Sequence, residues 1–429
     1  MNEEIIEIME GSTKLLVPKG SMTEKVPPKE PAFFNPRANL SRDLSIIACS
    51  AFWKDYKFPK IFFDGLSGLG ARGLRIANEV DQVEKVIVND VNPNALEIAL
   101  KSAKINNLEN FEISENETCR FLSSHSRMNE RASIVDIDPF GSPSKYIDCA
   151  IRATMHSGML ALTATDLQVL HGLFNKAAKR RYYGTPVKTE FSNEIAIRLI
   201  LGCVSFVAGR LDISFQPLFV DHDMHYYRTY MKIFNTPEKE EKIGYIIFCR
   251  NCKDRHTQTI RQNECRKCGH ETEIAGPLWI GKLFEKEFVQ KMKDVKNNLI
   301  VSKRCERIIE RSEAEAELPA TYYTLDEIAS MIKSAPLKLK DAVERLRSQG
   351  YKASMTSLNP GGFRTDCEID KITQDIYMNH IWLARSMKDN NLEKSLFHLN
   401  KAINLVKSNE AAYREIISIY FSGLSCFAQ

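Results

Sequence analysis

Short apolar runs bounded by turn residues recur along the first 235 residues, and amphipathic stretches of helical period separate them. Five runs are short and apolar enough to be buried parallel strands, and they cover residues 60–63, 85–88, 111–114, 134–137 and 158–166. Residues 213–219 and 226–233 alternate in polarity, which predicts a pair of strands that closes the sheet. Strands that alternate with helices predict an α/β fold built on a mostly parallel sheet.

The start of the chain has a different pattern. Residues 1–32 contain short apolar pieces and a Pro-rich run, which predict a peripheral hairpin or arm. A helix with Ser41 as its N-cap follows. It opens the main α/β domain, which we expect to cover residues 33–240.

Residues 241–369 predict a smaller α+β C-terminal domain. A helical pattern runs from Gly276 to about Arg311, and two short amphipathic helices and an Asn-Pro-Gly-Gly turn come after it. That order predicts a winged-helix-like module, which could bind nucleic acid or brace the main domain. Residues 370–429 have helical periodicity and predict a helical tail.

Bulk composition limits the class of protein. A chain of 429 residues with 43% hydrophobic and 27% charged residues predicts a globular protein of two or three domains. The net charge of +4 neither demands nor excludes a nucleic-acid partner. No apolar run approaches the length of a membrane span, and the acidic start lacks the basic flank of a signal peptide. We therefore expect a cytoplasmic, monomeric protein without a membrane partner.

Gly68, Gly70 and Gly73 form a G-x-G-x-x-G motif between a predicted strand and a predicted helix. Asp90 follows the next strand, about 20 residues further on, where an acid commonly binds ribose hydroxyls. This layout predicts a nucleoside-containing cofactor, either a nicotinamide dinucleotide or S-adenosylmethionine. Asp64 could bind the α-amino group of S-adenosylmethionine and Glu117 its adenine amine, which favours the methyl donor over an oxidoreductase.

Residues 135–143 carry the most specific chemistry in the chain, since a buried strand ends there at Asp138 and the turn-forming Pro139. Asp138 and the Pro139 carbonyl could accept N–H bonds from a planar base with an amino group while Phe140 stacks on it. The alternative is an Asp that caps a turn beside a core phenylalanine. Asp136 is interpreted as a supporting residue on the strand.

Four of the eleven cysteines have paired spacing, namely Cys249, Cys252, Cys265 and Cys268. Two such knuckles supply four thiolates for a structural zinc ion. The odd total and the lack of other pairs predict reduced thiols rather than a disulfide framework.

Two further segments have alternative interpretations. Phe33 and Phe34 precede an Asn-Pro turn, so they could either staple the following helix or supply a ring to a ligand pocket. Residues 176–183 are basic with adjacent aromatics; such a run is usually a solvated helix end, but it could contact phosphates.

These motifs together resemble the tRNA (guanine-26, N2) dimethyltransferase family, in particular its compact archaeal branch. The matching segments are residues 10–11, 16–18, 34–36, 42–43, 64–73, 89–93, 136–143, 163–166, 182–184 and 276–281, with the cysteine quartet. Residues 165–168, 355–358 and 364–365 depart from the family pattern. These departures affect the expected C-terminal contacts with tRNA more than the expected methyl-transfer chemistry.

The resemblance implies a Rossmann-like S-adenosylmethionine-dependent methyltransferase that acts on tRNA. It implies donor contacts from Arg42, Arg72, Asp90, Glu117 and Thr118, and a target base held by Asp138 and Phe140 with Phe33 or Phe34. The alternatives are an amino-methyltransferase for another tRNA guanosine or for DNA adenine, a nicotinamide oxidoreductase, and a non-catalytic zinc RNA-binding protein that kept the fold.

Overall fold

A computed structural model describes residues 4–240, 242–332 and 338–374. The predicted helical tail lies outside the described residues from position 375 onward. The strands, in chain order, are β1 (Ile5–Glu10), β2 (Thr13–Pro18), β3 (Ile61–Asp64), β4 (Lys85–Asp90), β5 (Phe111–Glu115), β6 (Ala132–Ile137), β7 (Thr154–Ala164), β8 (Ser214–Asp223), β9 (Tyr226–Phe234), β10 (Ile243–Phe248), β11 (Arg255–Gln258), β12 (Glu273–Trp279), β13 (Tyr323–Thr324), β14 (Ala353–Met355) and β15 (Gly362–Thr365).

The helices complete the description. In chain order they are α1 (Lys19–Thr23), α2 (Asn39–Trp53), α3 (Ala71–Glu79), α4 (Pro93–Ile105), α5 (Thr118–Ser124), α6 (Ile147–Ala153), α7 (Leu167–Leu170), α8 (Asn175–Tyr182), α9 (Ser192–Gly209), α10 (Lys286–Lys296), α11 (Lys303–Glu315), α12 (Leu325–Ile332) and α13 (Leu339–Ser348). Short 3₁₀ helices cover Pro36–Ala38 and Ser144–Tyr146.

A seven-stranded sheet in the order β5-β4-β3-β6-β7-β9-β8 organises the main domain. The pairs among β3 to β7 are parallel, whereas β9 is antiparallel to both β7 and β8. The predicted α/β fold is confirmed, including the closing pair of strands. The strand order reverses between β3 and β6, and ligands bind such sheets outside the carboxyl ends of the strands at that point.

Helices cover both faces of the sheet, as its buried central strands require. All six residues of β6 are buried, so that strand has no solvent-facing side. α2, α3, α4 and α10 pack together as one group, and α5, α6 and α9 as another. By length and composition α9 could span a membrane, contrary to the expectation of no such segment, but 78% of it is buried inside the fold.

The N-terminal segment is an antiparallel β1–β2 hairpin, as predicted, but it is not peripheral. Leu15 and Val17 on β2 are fully buried and join the main core. The expected N-cap is also wrong, since α2 begins at Asn39 and Ser41 lies inside it. The Asn35 side chain accepts a bond from the Arg37 N–H and starts the 3₁₀ turn that leads into α2.

After the main domain, β10 pairs with both β11 and β12 in a small antiparallel sheet. The helical pattern predicted from Gly276 is therefore wrong in its first part, because β12 continues to Trp279. Leu278 and Trp279 are buried and β12 packs on α9, so tertiary contacts override the local pattern. The next helix begins at Lys286.

The last described region comprises α11, β13, α12, α13, β14 and β15, with the sheet order β13-β15-β14. The two predicted amphipathic helices are present. A small separate core holds this region together, with Ile328 of α12, Leu346 of α13 and Phe363 of β15 among its buried members.

A buried ion network joins this region to the main domain. Arg364 on β15 contacts the Glu194 carboxylate of α9 at 2.9 Å and also pairs with Glu315 of α11. Burial alone would raise the pKa of Glu194, but the charges of Arg364 and Arg198 outweigh it and lower that pKa. The stability that this carboxylate contributes is therefore present above its unfolded pKa, about 4.5, and is lost as the pH falls through the lower folded value.

The Arg364→Met variant should lower the free energy of unfolding by about 3 to 5 kcal/mol, because it removes the buried cation that pairs with Glu315 and leaves Glu194 with Arg198 alone. Urea unfolding of the full chain measures this. The control is Arg152→Met, which breaks the exposed Arg152–Asp148 pair and should change stability by less than about 1 kcal/mol. Equal losses in the two variants would contradict a special role for the network.

Candidate active site

The loop that follows β6, residues 138–143, lies at the point where the strand order reverses; we name it the Asp138 loop. The Asp138 side chain is 33% exposed, and the Phe140 ring, at 73%, projects into solvent. Gly141 has φ +86°, a backbone angle that residues with a Cβ rarely adopt, so a glycine permits the turn here. The arrangement presents a carboxylate and a free aromatic face together.

Thr165, directly after β7, fastens this loop by two hydrogen bonds. The Gly141 N–H donates to Thr165 Oγ1 at 2.7 Å, and the Thr165 N–H donates to the Gly141 carbonyl at 2.8 Å. Sequence reasoning did not assign Thr165 a role. The available signal was its position at the end of the strand parallel to β6, where neighbouring loops meet.

A buried charge cluster of Arg72, Asp136 and Arg228 supports the loop from below. Arg72 Nη2 donates to Asp138 Oδ2 at 2.5 Å, and Arg72 Nη1 donates to Ser45. Arg228 on β9 pairs with Asp136 and also donates to Thr163 at 2.5 Å. The supporting role predicted for Asp136 is consistent with this geometry, whereas Arg228 and Ser45 were missed because they lie far away in sequence.

Asp64 ends β3 and lies in register with Asp136 of β6. It is buried, and the Leu66 N–H donates to its Oδ1 over a long distance, 3.4 Å. Burial, and then the nearby negative charge of Asp136, raise the pKa of Asp64 well above its usual value. A buried carboxylate that accepts only a long hydrogen bond and lies beside another carboxylate is suited to a cationic ligand group.

The glycine loop runs from β3 into α3 as the motif predicts. The Gly68 N–H donates to Asp90 Oδ2 at 2.8 Å, so the predicted ribose acid also holds the loop. Gly73 is required by packing, because a Cβ there would lie 2.4 Å from Val88 Cγ1 on β4. α3 can therefore approach the sheet closely, as the third glycine of this motif allows.

Glu117 and Thr118 lie at the start of α5, beyond β5. The Glu117 carboxylate accepts the Arg120 N–H at 2.9 Å as the helix N-cap, and Thr118 is buried. Asn89 Nδ2 donates to the carbonyls of Gly65 and Asn116, which ties the loops after β3 and β5 together. Asn89 was not singled out in the sequence.

The two candidate stacking rings have different environments. The Phe33 ring meets the Phe140 ring edge-to-face, with centroids 4.8 Å apart. Phe34 is buried beneath the Arg42 guanidinium, which makes it a core residue and not a second free ring. Arg42 forms a bidentate pair with Glu10 at 2.6 Å and also donates to the Asn35 carbonyl.

The expectation of reduced thiols outside the metal cluster is wrong for one pair. Cys119 on α5 and Cys149 on α6 form a disulfide with their Cα atoms 5.5 Å apart. Their spacing carries no local signal because 30 residues separate them, and the packing of α5 against α6 brings them together.

The four paired cysteines do converge as predicted. The sulfur atoms of Cys249, Cys252, Cys265 and Cys268 all lie within 4.8 Å of one another. Closest are Cys249 to Cys268 and Cys252 to Cys265, each at 3.5 Å. Zinc–sulfur bonds of about 2.3 Å in a tetrahedron place sulfur atoms about 3.8 Å apart, so the cluster has the size of such a site.

A doubly wound sheet with a glycine loop, a ribose-type acid and an acidic aromatic loop at its switch point fits a Rossmann-like methyltransferase. The model of the N2,N2-dimethylguanosine tRNA methyltransferase family matches residues 11–377. The chain belongs to that family.

Individual relatives agree with this assignment. The chain is 33% identical over 387 residues to the tRNA (guanine(26)-N(2))-dimethyltransferase of Methanosphaera stadtmanae, covering 87% of this chain and 96% of that protein. It is 30% identical to the protein of the same name from Methanothermobacter thermautotrophicus, covering 86% and 98%. A solved complex of Trm1 from Pyrococcus horikoshii with S-adenosyl-L-methionine superimposes with a TM-score of 0.75 at 26% identity, covering 86% of this chain and 99% of that one.

The Thr165→Val variant removes the acceptor of the Gly141 N–H while keeping the side-chain shape. We expect faster hydrogen exchange of the Asp138-loop amides and a loss of about 1 kcal/mol in unfolding free energy. Exchange followed by mass spectrometry measures the first effect. Thr165→Ser retains the hydroxyl and should keep the protection; equal exchange in both variants would show that this bond does not hold the loop.

Proposed function

We propose that this chain transfers methyl groups from S-adenosylmethionine to the N2 amine of guanosine 26 in tRNA, giving monomethyl- and then dimethylguanosine. Family membership supports the reaction class. The observation that carries the proposal is the Asp138 carboxylate beside the free Phe140 face at the sheet's switch point. That pairing suits an aromatic amine, which needs an acceptor for its N–H groups and a surface for its ring.

We assign the donor site to residues around the glycine loop. Asp64 would accept hydrogen bonds from the ammonium group of the methionine part, since its carboxylate is buried and its hydrogen bond from Leu66 is long. Asp90 would bind the ribose hydroxyls through lone pairs that Gly68 and Asn92 do not use, and Glu117 with Thr118 would contact the adenine. The bound donor supplies an electrophilic methyl group on a sulfonium.

Arginines 42 and 72, which the resemblance implies as donor contacts, are assigned different tasks. Arg42 is engaged with Glu10 and the Asn35 carbonyl, so we propose that it orients the segment that carries Phe33. Arg72 binds Asp138 Oδ2 and thereby directs the other carboxylate oxygen toward the substrate. Arg72 lies in the first turn of α3, directly after the glycine loop, and we propose that it also contacts the carboxylate of the donor.

The exocyclic amine of guanine is a poor nucleophile because its lone pair is delocalised into the ring. Asp138 and the Pro139 carbonyl would accept its two N–H groups, which fixes the plane of the amine and directs the lone pair at the methyl group. Asp138 would accept a proton as the new N–C bond forms. Phe140, with Phe33 against its edge, would hold the base after it has left its stack in the tRNA.

A second methylation requires a changed position of the amine. After the first transfer one N–H remains, so the amine must rotate and place its methyl group beside Pro139. Asp138 would then accept the remaining N–H and its proton.

We also propose a structural zinc ion bound by Cys249, Cys252, Cys265 and Cys268, since four thiolates leave no open position for chemistry. The region from α11 to β15 has the element order of a winged helix, which supports that interpretation of the module. We retain the division into residues 1–32, 33–240, 241–369 and 370–429, and propose a monomeric, cytoplasmic enzyme whose partner is tRNA.

The Asp138→Ala variant should bind S-adenosylmethionine but lose methyl transfer by about 10² to 10⁴-fold, because the acceptor of the amine proton is gone. Labelled donor with unmodified tRNA, followed by mapping of the modified nucleoside, measures this. Asp148→Ala, a carboxylate exposed on α6, serves as the control and should keep activity. Substantial residual turnover in Asp138→Ala would refute the assignment.

The Cys252→Ser variant should lose the zinc ion and unfold at a lower temperature, because structural zinc contributes directly to folding. Elemental analysis of the purified chain and a thermal melt measure both effects. Cys305→Ser changes a buried thiol outside the cluster and should keep the metal. Equal zinc content in the two variants would exclude Cys252 as a ligand.

A further inference from the structure

Helix α8 presents cations that the chemistry described above does not use. Lys176, Lys179 and Arg180 lie on its exposed side, and none of them forms an ion pair with a described residue. We name these three residues the cationic face. Residues 167–188 contain no Asp or Glu, so no neighbouring carboxylate in the sequence balances the charge.

The helix itself does not account for these charges. Lys179 and Arg180 lie in the last turn, where a cation interacts favourably with the helix dipole. Lys176 lies in the first turn, where a cation opposes the dipole, and like charges three and four residues apart repel. A face that carries cations from one end of the helix to the other is therefore suited to an external polyanion.

The cationic face is attached rigidly to the Asp138 loop. Arg181 and Tyr182, at the end of α8, donate to the Asp166 carboxylate at 2.9 and 2.6 Å. Asp166 follows Thr165, the residue that binds Gly141 of the loop. α8 also packs against the 3₁₀ helix Ser144–Tyr146 that comes directly after the loop.

Exposed aromatic rings lie at both ends of the helix. Phe174 precedes α8 and is 51% exposed, and Tyr183 follows it and is 49% exposed. The helix is about 12 Å long, so it can face more than one phosphate of a nucleic-acid strand. Cations between stacking rings are the usual surface for a nucleic-acid backbone with unpaired bases.

We propose that the cationic face binds the tRNA phosphates that flank the target nucleotide, with Phe174 and Tyr183 against adjoining bases. The proposal rests on the proposed function and adds the surface that holds the RNA strand while its guanine reaches Asp138. Arg181 is a positioning residue here, since its charge is used by Asp166. The partner is RNA and not an acidic protein surface, because exposed aromatic rings flank the cations at both ends of the helix.

The test compares two triple variants with the same loss of charge. Lys176→Gln/Lys179→Gln/Arg180→Gln removes the cationic face, and Lys57→Gln/Lys104→Gln/Arg127→Gln removes three exposed cations from the opposite, amino edge of the sheet. Binding of unmodified tRNA is measured across salt concentrations, together with KM and kcat for methyl transfer and the binding of S-adenosylhomocysteine.

We expect the first triple to raise the Kd and KM for tRNA about tenfold or more near 0.15 M salt and to reduce the slope of log Kd against log salt by about 2 to 3. kcat and S-adenosylhomocysteine binding should match the wild type, and the control triple should change little. Equal effects of both triples, or an unchanged salt slope in the first, would overturn the proposal. Absence of methyl transfer by the wild type would instead refute the proposed function, and the binding comparison would still test this surface.

Discussion

The Asp138 loop depends on one buried interaction, the contact of Asp136 with Arg228 and Arg72. Asp136 is on a strand whose residues are all buried, where a lone carboxylate would be costly. Arg228 from β9 supplies the balancing charge. Arg72 can then donate from Nη2 to Asp138 and from Nη1 to Ser45. The position of the Asp138 carboxylate therefore depends on the buried ion pairs of Asp136 with Arg228 and Arg72.

A second buried ion network joins the C-terminal region to the main domain. Glu194 lies on α9, which packs on the sheet, while Arg364 and Glu315 belong to the last described region. Arg255 of β11 pairs in the same way with Glu327 of α12. Such pairs require specific geometry, and a rotated docking would leave charges buried without partners. The cysteine-containing sheet, the last region and the Asp138 loop are therefore held in a defined relation to one another.

The features that were predictable from the sequence are those encoded locally. The apolar runs that became β3 to β7, the glycines at 68, 70 and 73, and the paired cysteines each carry their signal within a few residues. Features set by distant partners were missed or wrong: Thr165 and Arg228 act on residues far along the chain, and Cys119 meets Cys149 only because two helices pack. Gly276 lies in a strand because α9 and β10 cover it, although its neighbours have a helical period.

The insertion of β9 between β7 and β8 has a consequence for synthesis of the chain. Asp136 and Asp138 precede Arg228 by about 90 residues and Asp64 precedes it by 164, so before β9 is added the parallel half of the sheet has three carboxylates facing Arg72 alone. The sheet reaches charge balance only when an antiparallel strand from later in the chain is added at its edge. The charge balance of the ligand-binding edge therefore depends on β9, a strand that comes later in the chain than every carboxylate it neutralises.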